Sequence, residues 1–339
     1  MTADHPKAML ARAHDARAEL LERLRHEDTD CYRLFHGTVE GWPGVTLDRY
    51  GEVALLQSFH APLDDAAVAA VAAFVADLHP AMPTIYNDRS GRASRIANPL
   101  PDALRTVAHQ PGSVREHGVH YRFQARHAGQ DPWLFLDLRA ARRWLMAEAA
   151  GRSVLNLFAY TCGVGTAAGC AGARFVMNVD FAESALRVGK DNARLNALPH
   201  RPRFVQSDVF PAVRQLAGIG QPKVVRGKRM PPFPELAARR FDLVFLDPPR
   251  YARSPFGVVD LVRDYPALFK PALLATADGG TLVCSNNAAE VDADAWLDQL
   301  RRSAAKTGRT IREVEWIAPD PDFPSFDARP PLKTVALRV

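Results

Sequence analysis

The stretch Val154-Leu155-Asn156-Leu157-Phe158-Ala159-Tyr160-Thr161-Cys162-Gly163-Val164-Gly165-Thr166 decides how this chain is read. It opens as an apolar strand, breaks into a glycine-containing turn, and re-forms as a small-residue helix over 166–172. A strand, a glycine turn and a helix start bring backbone N–H groups to one place, where they can face a ligand.

Outward from this hub the pattern alternates. Strands are expected at 154–159, 175–179, 203–206, 242–246 and 281–285, with helices at 166–172, 182–196, 260–276 and 292–306. Strand–helix alternation with continuously apolar strands predicts a parallel, doubly wound α/β sheet. Ile311–Trp316 and Thr334–Val339 are joined without a helix, which predicts an antiparallel hairpin at the edge of a seven-stranded sheet. Between 216 and 241 the rhythm breaks. The segment 218–240 is Pro-rich and carries Lys223, Arg226, Lys228, Arg229, Arg239 and Arg240 against one acid, Glu235. A phosphate-contacting loop and a flexible insertion both fit it.

Upstream, residues 6–26 have helical spacing and form a leading segment, 1–30. Residues 31–126 read as a small α+β domain. It has strands at 32–35, 45–48, 53–58 and 84–87, a helix over 63–78, a loop at 88–101 carrying Arg89, Arg92 and Arg95, and an alternating strand at 117–126. A strand at 133–136 and a helix to about 150 then lead into the sheet domain, 127–339.

The bulk numbers narrow the class. A chain of 339 residues, 47% of them hydrophobic, can bury two domain cores. A net charge of +5 is compatible with a polyanionic partner without requiring one. The four cysteines, Cys31, Cys162, Cys170 and Cys284, are scattered with no CxxC pair, so no zinc site or disulfide framework is expected and a reducing cytoplasm is the simplest setting. The longest apolar run, Ala66 to Ala76, has 11 residues. A membrane span needs about 20, and no apolar signal core precedes the first helix.

In a doubly wound sheet, ligands bind outside the carboxyl ends of the strands. Four features fall there: the turn 158–165, Asp180, Asp208, and Asp247-Pro248-Pro249. An acid after a strand is by itself often a helix cap or turn former. Four in this order make a stronger signal. Asp180 is placed to accept from ribose hydroxyls, and Asp208 to meet an adenine amine. A nicotinamide site fits poorly, since only Gly163 and Gly165 match G-x-G-x-x-G, with Ala168 at the third place.

Asn156 to Gly163, Asp180, Asp208 and Asp247-Pro248-Pro249 resemble the S-adenosylmethionine motifs of class I methyltransferases. Phe135-Leu136-Asp137-Leu138-Arg139 resembles the F/Y-L-D-x-R motif of the large-subunit rRNA methyltransferases, the group of bacterial cytosine-C5 and guanine-N7 enzymes. Gly41 to Gly51 is similar to the start of the small domain of the cytosine-C5 members. The resemblance implies a Rossmann-like fold, S-adenosylmethionine as cofactor and RNA as partner. It implies cofactor contacts from Phe135, Arg139, Asn156, Phe158, Tyr160, Thr161, Gly163, Gly165, Asp180, Phe181, Asp208, Val209 and Asp247. Asp247, Pro248, Pro249 and Asn287 are implied at the catalytic end, with no metal.

The chain departs from the cytosine-C5 members twice. About 30 residues precede Tyr32, too few for their RNA-binding PUA domain. Carbon 5 also needs a thiolate to activate the ring. The Ser-Cys-Ser position of those enzymes falls on Asn287, within Cys284-Ser285-Asn286-Asn287, whereas the guanine-N7 enzymes carry a similar Ser-Asn-Asn. Direct methyl transfer to an RNA base is therefore expected, with Asn286 or Asn287 orienting the base and Tyr251 stacking on it. A non-catalytic RNA-binding or assembly factor, or a small-molecule methyltransferase, would share the same fold.

Overall fold

The leading segment folds as two helices, α1 (Asp4–Asp15) and α2 (Ala18–His26), where the sequence spacing reads as one. The break falls at Arg17. Its guanidinium turns inward to the Ala13 carbonyl (2.7 Å), the Arg33 carbonyl (3.0 Å) and Glu40 (3.1 Å). Strands β1 (Cys31–His36), β2 (Val45–Tyr50), β3 (Val53–Ser58) and β4 (Thr84–Asp88) follow, with the short helix α3 (Gly37–Glu40) after β1. They form one sheet in chain order, antiparallel except for β3 and β4, which the crossover helix α4 (Asp65–Leu78) makes parallel. Asp64 caps α4 by accepting from the Ala67 N–H at 2.8 Å. One sheet face is apolar and builds a core with Met9, Leu10, Leu20, Leu24, Val71, Phe74 and Val75 from the helices.

Two elements that the sequence pattern left unread come next: α5 (Asp102–His109) and β5 (Gly112–Glu116). β5 pairs with β6 (Val119–Phe123) through a tight turn at His117-Gly118, both at positive φ. The expected strand at 133–136 is not formed. A 3₁₀ turn, Leu136–Leu138, runs directly into α6 (Arg139–Glu148).

The computed structural model describes residues 4–91, 100–127, 131–225, 227–327 and 329–339, the side chains of 4, 5 and 228 excepted. Arg92, Arg95, Arg226 and the Lys228 side chain, all read above as loop cations, lie outside the described residues. The chain separates into two compact units, Met1–Arg139 with Pro319–Arg329, and Ala140–Ala318 with Pro330–Val339. The first unit thus runs past the expected boundary at 126, takes in the leading helices, and recruits a late loop.

Charge explains that recruitment. Arg139 is fully buried; its guanidinium donates to Asp320 at 2.7 Å, Asp322 at 2.6 Å and the Cys31 carbonyl at 3.3 Å. Asp322, itself fully buried, also accepts the Arg33 N–H at 3.0 Å. Burial alone would discourage the cation, but Asp322 and Asp320 outweigh it and raise the pKa of Arg139 above the usual arginine value.

The second unit holds the expected seven-stranded sheet. Its strands are β7 (Ser153–Leu157), β8 (Phe175–Asp180), β9 (Arg203–Gln206), β12 (Phe241–Leu246), β15 (Thr276–Asn286), β16 (Glu313–Trp316) and β17 (Lys333–Arg338). Across the sheet they run β16-β17-β15-β12-β7-β8-β9, with β15, β12, β7, β8 and β9 parallel and the β16–β17 hairpin antiparallel at the edge. Helices α7 (Gly163–Cys170), α8 (Glu183–Leu195), α9 (Val209–Leu216), α10 (Pro266–Leu274) and α11 (Ala293–Ala305) connect the strands, joined by two unexpected small hairpins. These are β10 (Val224–Val225) with β11 (Lys228–Arg229), and β13 (Tyr251–Ser254) with β14 (Gly257–Asp260). The second hairpin precedes the helix expected over 260–276, which begins later, at Pro266. The chain leaves β7 toward β8 and β9, then crosses to β12 on the other side of β7. That reversal puts a topological switch point between β7 and β12.

We expect Asp322→Ala to cost about 3–5 kcal/mol in urea unfolding, because it removes one of the two carboxylates that balance a buried guanidinium. A cost below about 1 kcal/mol would show that water can replace the carboxylate.

Candidate active site

Every strand-end feature singled out in the sequence falls at a carboxyl end of the parallel strands. The turn from Phe158 follows β7, Asp180 closes β8, Asp208 follows β9, Asp247-Pro248-Pro249 follows β12, and Asn286-Asn287 ends β15. The sheet order brings these ends side by side in the second unit. Phe135 and Arg139 belong to the first unit instead. Arg139, expected to touch cofactor, donates from its three guanidinium nitrogens to Asp320, the Cys31 carbonyl and Asp322. Phe135 is exposed.

The turn after β7 is strained. Phe158, Tyr160 and Cys162 all take left-handed conformations, with φ of 57°, 47° and 61°. Such backbone costs a non-glycine residue about 1–2 kcal/mol each and persists only where neighbours over-determine it. Here they do. The Asp180 carboxylate accepts the Tyr160 N–H at 2.8 Å and the Ala182 N–H at 2.8 Å. The Val179 carbonyl takes the Ala159 N–H at 3.0 Å, and the Asn192 amide donates to the Thr161 carbonyl at 2.9 Å. Asn192 was not picked out in the sequence. Its signal was present, since it falls on the buried face of α8 with Ala185, Leu186 and Gly189, where a polar residue needs a partner.

Beneath the turn, Asn156 of β7 donates to the facing Asn178 of β8 at 3.0 Å, in two otherwise apolar strands. A Cβ on Gly165 would sit 2.0 Å from the Asn178 Oδ1. Only glycine lets the start of α7 settle this close to the sheet, so Asn156 and Gly165 act by shaping the cradle from below.

Asp180 is buried, and burial pushes its pKa above the usual carboxylate value, partly offset by the backbone N–H groups it accepts. Its oxygens accept the Tyr160 and Ala182 N–H groups, and the Phe181 backbone N–H also favours its charged form. Phe181, the next residue, is 68% exposed, a large aromatic surface left uncovered. Asp208 caps α9 through Oδ1, which accepts the Phe210 N–H at 2.8 Å, and its Oδ2 makes no hydrogen bond among the described residues. Val209, beside it, is buried in the core of the unit.

At the far end of the row, Ser285 Oγ donates to the Asp247 carboxylate, tying the tip of β12 to that of β15. Tyr265 Oη in turn donates to the Ser285 carbonyl at 2.9 Å. Pro248 is buried and Pro249 exposed. The adjacent asparagines divide their work. Asn286 is buried and bound to the Leu261 carbonyl and the Ala288 N–H, whereas Asn287 is exposed. Tyr251 is 61% exposed at the start of β13. The nearest thiol in sequence, Cys284, lies inside β15, fully buried, and burial pushes it up to about 12, so it stays protonated at neutral pH.

No group of three or more His, Cys, Asp or Glu able to hold a metal ion occurs among the described residues. No described helix is long and apolar enough to cross a membrane.

Comparison with known proteins agrees with this geometry. Residues 32–338 match the family model described as S-adenosylmethionine-dependent methyltransferase. The chain is 28% identical over 345 aligned positions to the ribosomal RNA large subunit methyltransferase I of Klebsiella pneumoniae strain 342, covering 97% of this chain and 78% of that protein. Its fold resembles the crystal structure of the methyltransferase SMU.776 complexed with SAH, with a TM-score of 0.78 and 21% identity, covering 100% of this chain and 82% of that one. It also resembles the complex of aTrm5 and tRNALeu, with a TM-score of 0.53 and 15% identity, covering 95% of this chain and 76% of that one. With the strand-end acids, the strained turn and the Asp-Pro-Pro corner in their family order, the chain belongs to the S-adenosylmethionine-dependent methyltransferases.

Proposed function

We propose that this enzyme methylates a base of large-subunit rRNA in the cytoplasm, by direct transfer that uses no cysteine nucleophile. The observation that carries the reading is the chemistry at the end of β15. Where a C5 enzyme needs a thiolate, this chain has the exposed Asn287, and the Cys284 thiol three residues earlier is buried and protonated. The name of the Klebsiella relative and the RNA in the aTrm5 complex support the substrate class.

When bound, the cofactor supplies an electrophilic methyl group on a sulfonium. The chain's part is positioning. Asp180 accepts from the ribose hydroxyls; Phe181, Asp208 and Val209 meet the adenine; the rigid turn 158–165, with Tyr160, Thr161 and Gly163, borders the methionine end. Asp247, fixed by Ser285, and Pro248-Pro249 face the methyl donor. Asn287 orients the base through its amide, and Tyr251 stacks on it or on a neighbour. A ring nitrogen with its own lone pair attacks without further activation, which favours a purine N7 over a pyrimidine C5. Phe135 is retained as a cofactor contact on its family motif alone.

Nucleoside mass mapping of large-subunit rRNA from a deletion strain should show one methylated base missing, restored by the wild-type gene and not by Asp247→Ala. An unchanged map would sink the substrate assignment. Cys284→Ser should keep activity within a few-fold; a dead but folded Cys284→Ser enzyme would overturn direct transfer. Asp180→Asn should weaken cofactor binding by roughly 100-fold in calorimetry, since an amide cannot accept from both backbone N–H groups and the ribose together.

A further inference from the structure

Several described residues of the segment between α9 and β12 are held against the protein. Gln215, in the last turn of α9, clamps the segment by a side-chain amide that imitates a strand edge. Its Nε2 donates to the Pro234 carbonyl at 3.1 Å and its Oε1 accepts the Leu236 N–H at 3.1 Å. Leu236 packs against the core of the unit. At the far end the Arg239 N–H donates to the Leu216 carbonyl at 2.9 Å, and its guanidinium lies over the rings of Phe175 (3.8 Å) and Phe241 (5.4 Å). Lys223 pairs with Glu235 at 2.7 Å and Arg240 with Asp278 at 3.0 Å. Three of the cations that made the segment look like an RNA arm therefore have partners within the protein.

The clamp has a visible product, a cleft of about 290 Å³. One wall comes from the sheet: Phe181 and the run Gln206-Ser207-Asp208. The other comes from Pro232-Phe233-Pro234 of the insertion and from Phe256 at the tip of the β13–β14 hairpin. Phe233 meets Phe256 edge to face, centroids 5.7 Å apart at 83°. Phe256 is held in turn, because its N–H donates to Ser254 Oγ at 3.1 Å, and a Cβ on Gly257 would lie 2.8 Å from the Phe210 ring. The volume suits one planar heterocycle rather than a whole cofactor. Its chemistry suits a flat ring with an amine on its edge, offering aromatic walls on one side and, at Asp208, an acceptor with a free Oδ2.

We infer that the 230–240 part of the insertion is the cover of the adenine site, and that Phe233 and Phe256 are cofactor-binding residues contributed from outside the sheet. This rests on the reading of Asp208 as the adenine acceptor. It gives the exposed Phe181 a partner surface across the bound ring, and it makes cofactor affinity depend on the insertion rather than on the sheet alone.

The test is calorimetry on the full chain with two probes, S-adenosylhomocysteine and adenosine, beside rRNA binding followed through a salt titration. Phe233→Ala and Phe256→Ala should each weaken both probes by the same factor, about 10-fold, because the lost contact is to the base that the probes share. Melting temperature of Phe233→Ala, and rRNA affinity and the salt slope of both variants, should stay as in wild type, as Phe233 is only partly buried and no cation is removed. Unchanged probe affinity in both variants overturns the proposal. So does a loss confined to rRNA binding, which would return the insertion to the RNA. A wild-type protein that binds both probes yet modifies no rRNA would defeat the substrate assignment and leave the cover standing.

Discussion

The Asp180 carboxylate is the constraint on which the catalytic unit depends. It is buried at the end of a central strand, where an anion is costly, and three left-handed non-glycine residues sit directly beside it. The two costs offset each other. The strained turn aims the Tyr160 N–H at Asp180, and Asp180 holds the turn in that shape. The same backbone N–H groups that hold the turn favour the charged form of the carboxylate. Preorganisation is then a property of the fold rather than something a ligand must induce.

Much of this was legible in the sequence because it rests on local pattern. Continuous apolar runs gave the parallel strands, and the acids after 179, 207 and 246 gave the ends where ligands bind. What could not be read depended on partners distant in the chain. The carboxylates that meet Arg139, Asp320 and Asp322, return 181 and 183 residues later, beyond the reach of any local pattern. The β13–β14 hairpin went unread because its strands are only four residues each, too short for an alternating pattern to register. Between Asn286 and Asn287 the sequence offered no choice. Burial separates them, turning one into a loop brace and leaving the other exposed.

Charge also needed three-dimensional bookkeeping. A run of lysines and arginines in a Pro-rich loop resembles a polyanion contact, yet Lys223, Arg239 and Arg240 have protein partners. A mildly basic net charge is thus an upper bound on what is available to a nucleic acid. Exposed side chains beside the strand ends, such as Asn287 and Tyr251, are better markers of where a base would be met than the charge count is.

The late loop of the first unit has a consequence for biosynthesis. Arg139 emerges from the ribosome long before Asp320 and Asp322, and at about 5–20 residues per second the gap lasts roughly 10–40 s. Through that interval the first unit has a guanidinium without its carboxylates, and it can complete its interior only after almost the whole catalytic sheet has been synthesised. Vectorial folding from the N-terminus is therefore closed off for this chain. The unit that comes first in sequence is among the last to be finished, and a truncation just upstream of 320 would impair the N-terminal unit as well as the C-terminal one, which loses β17.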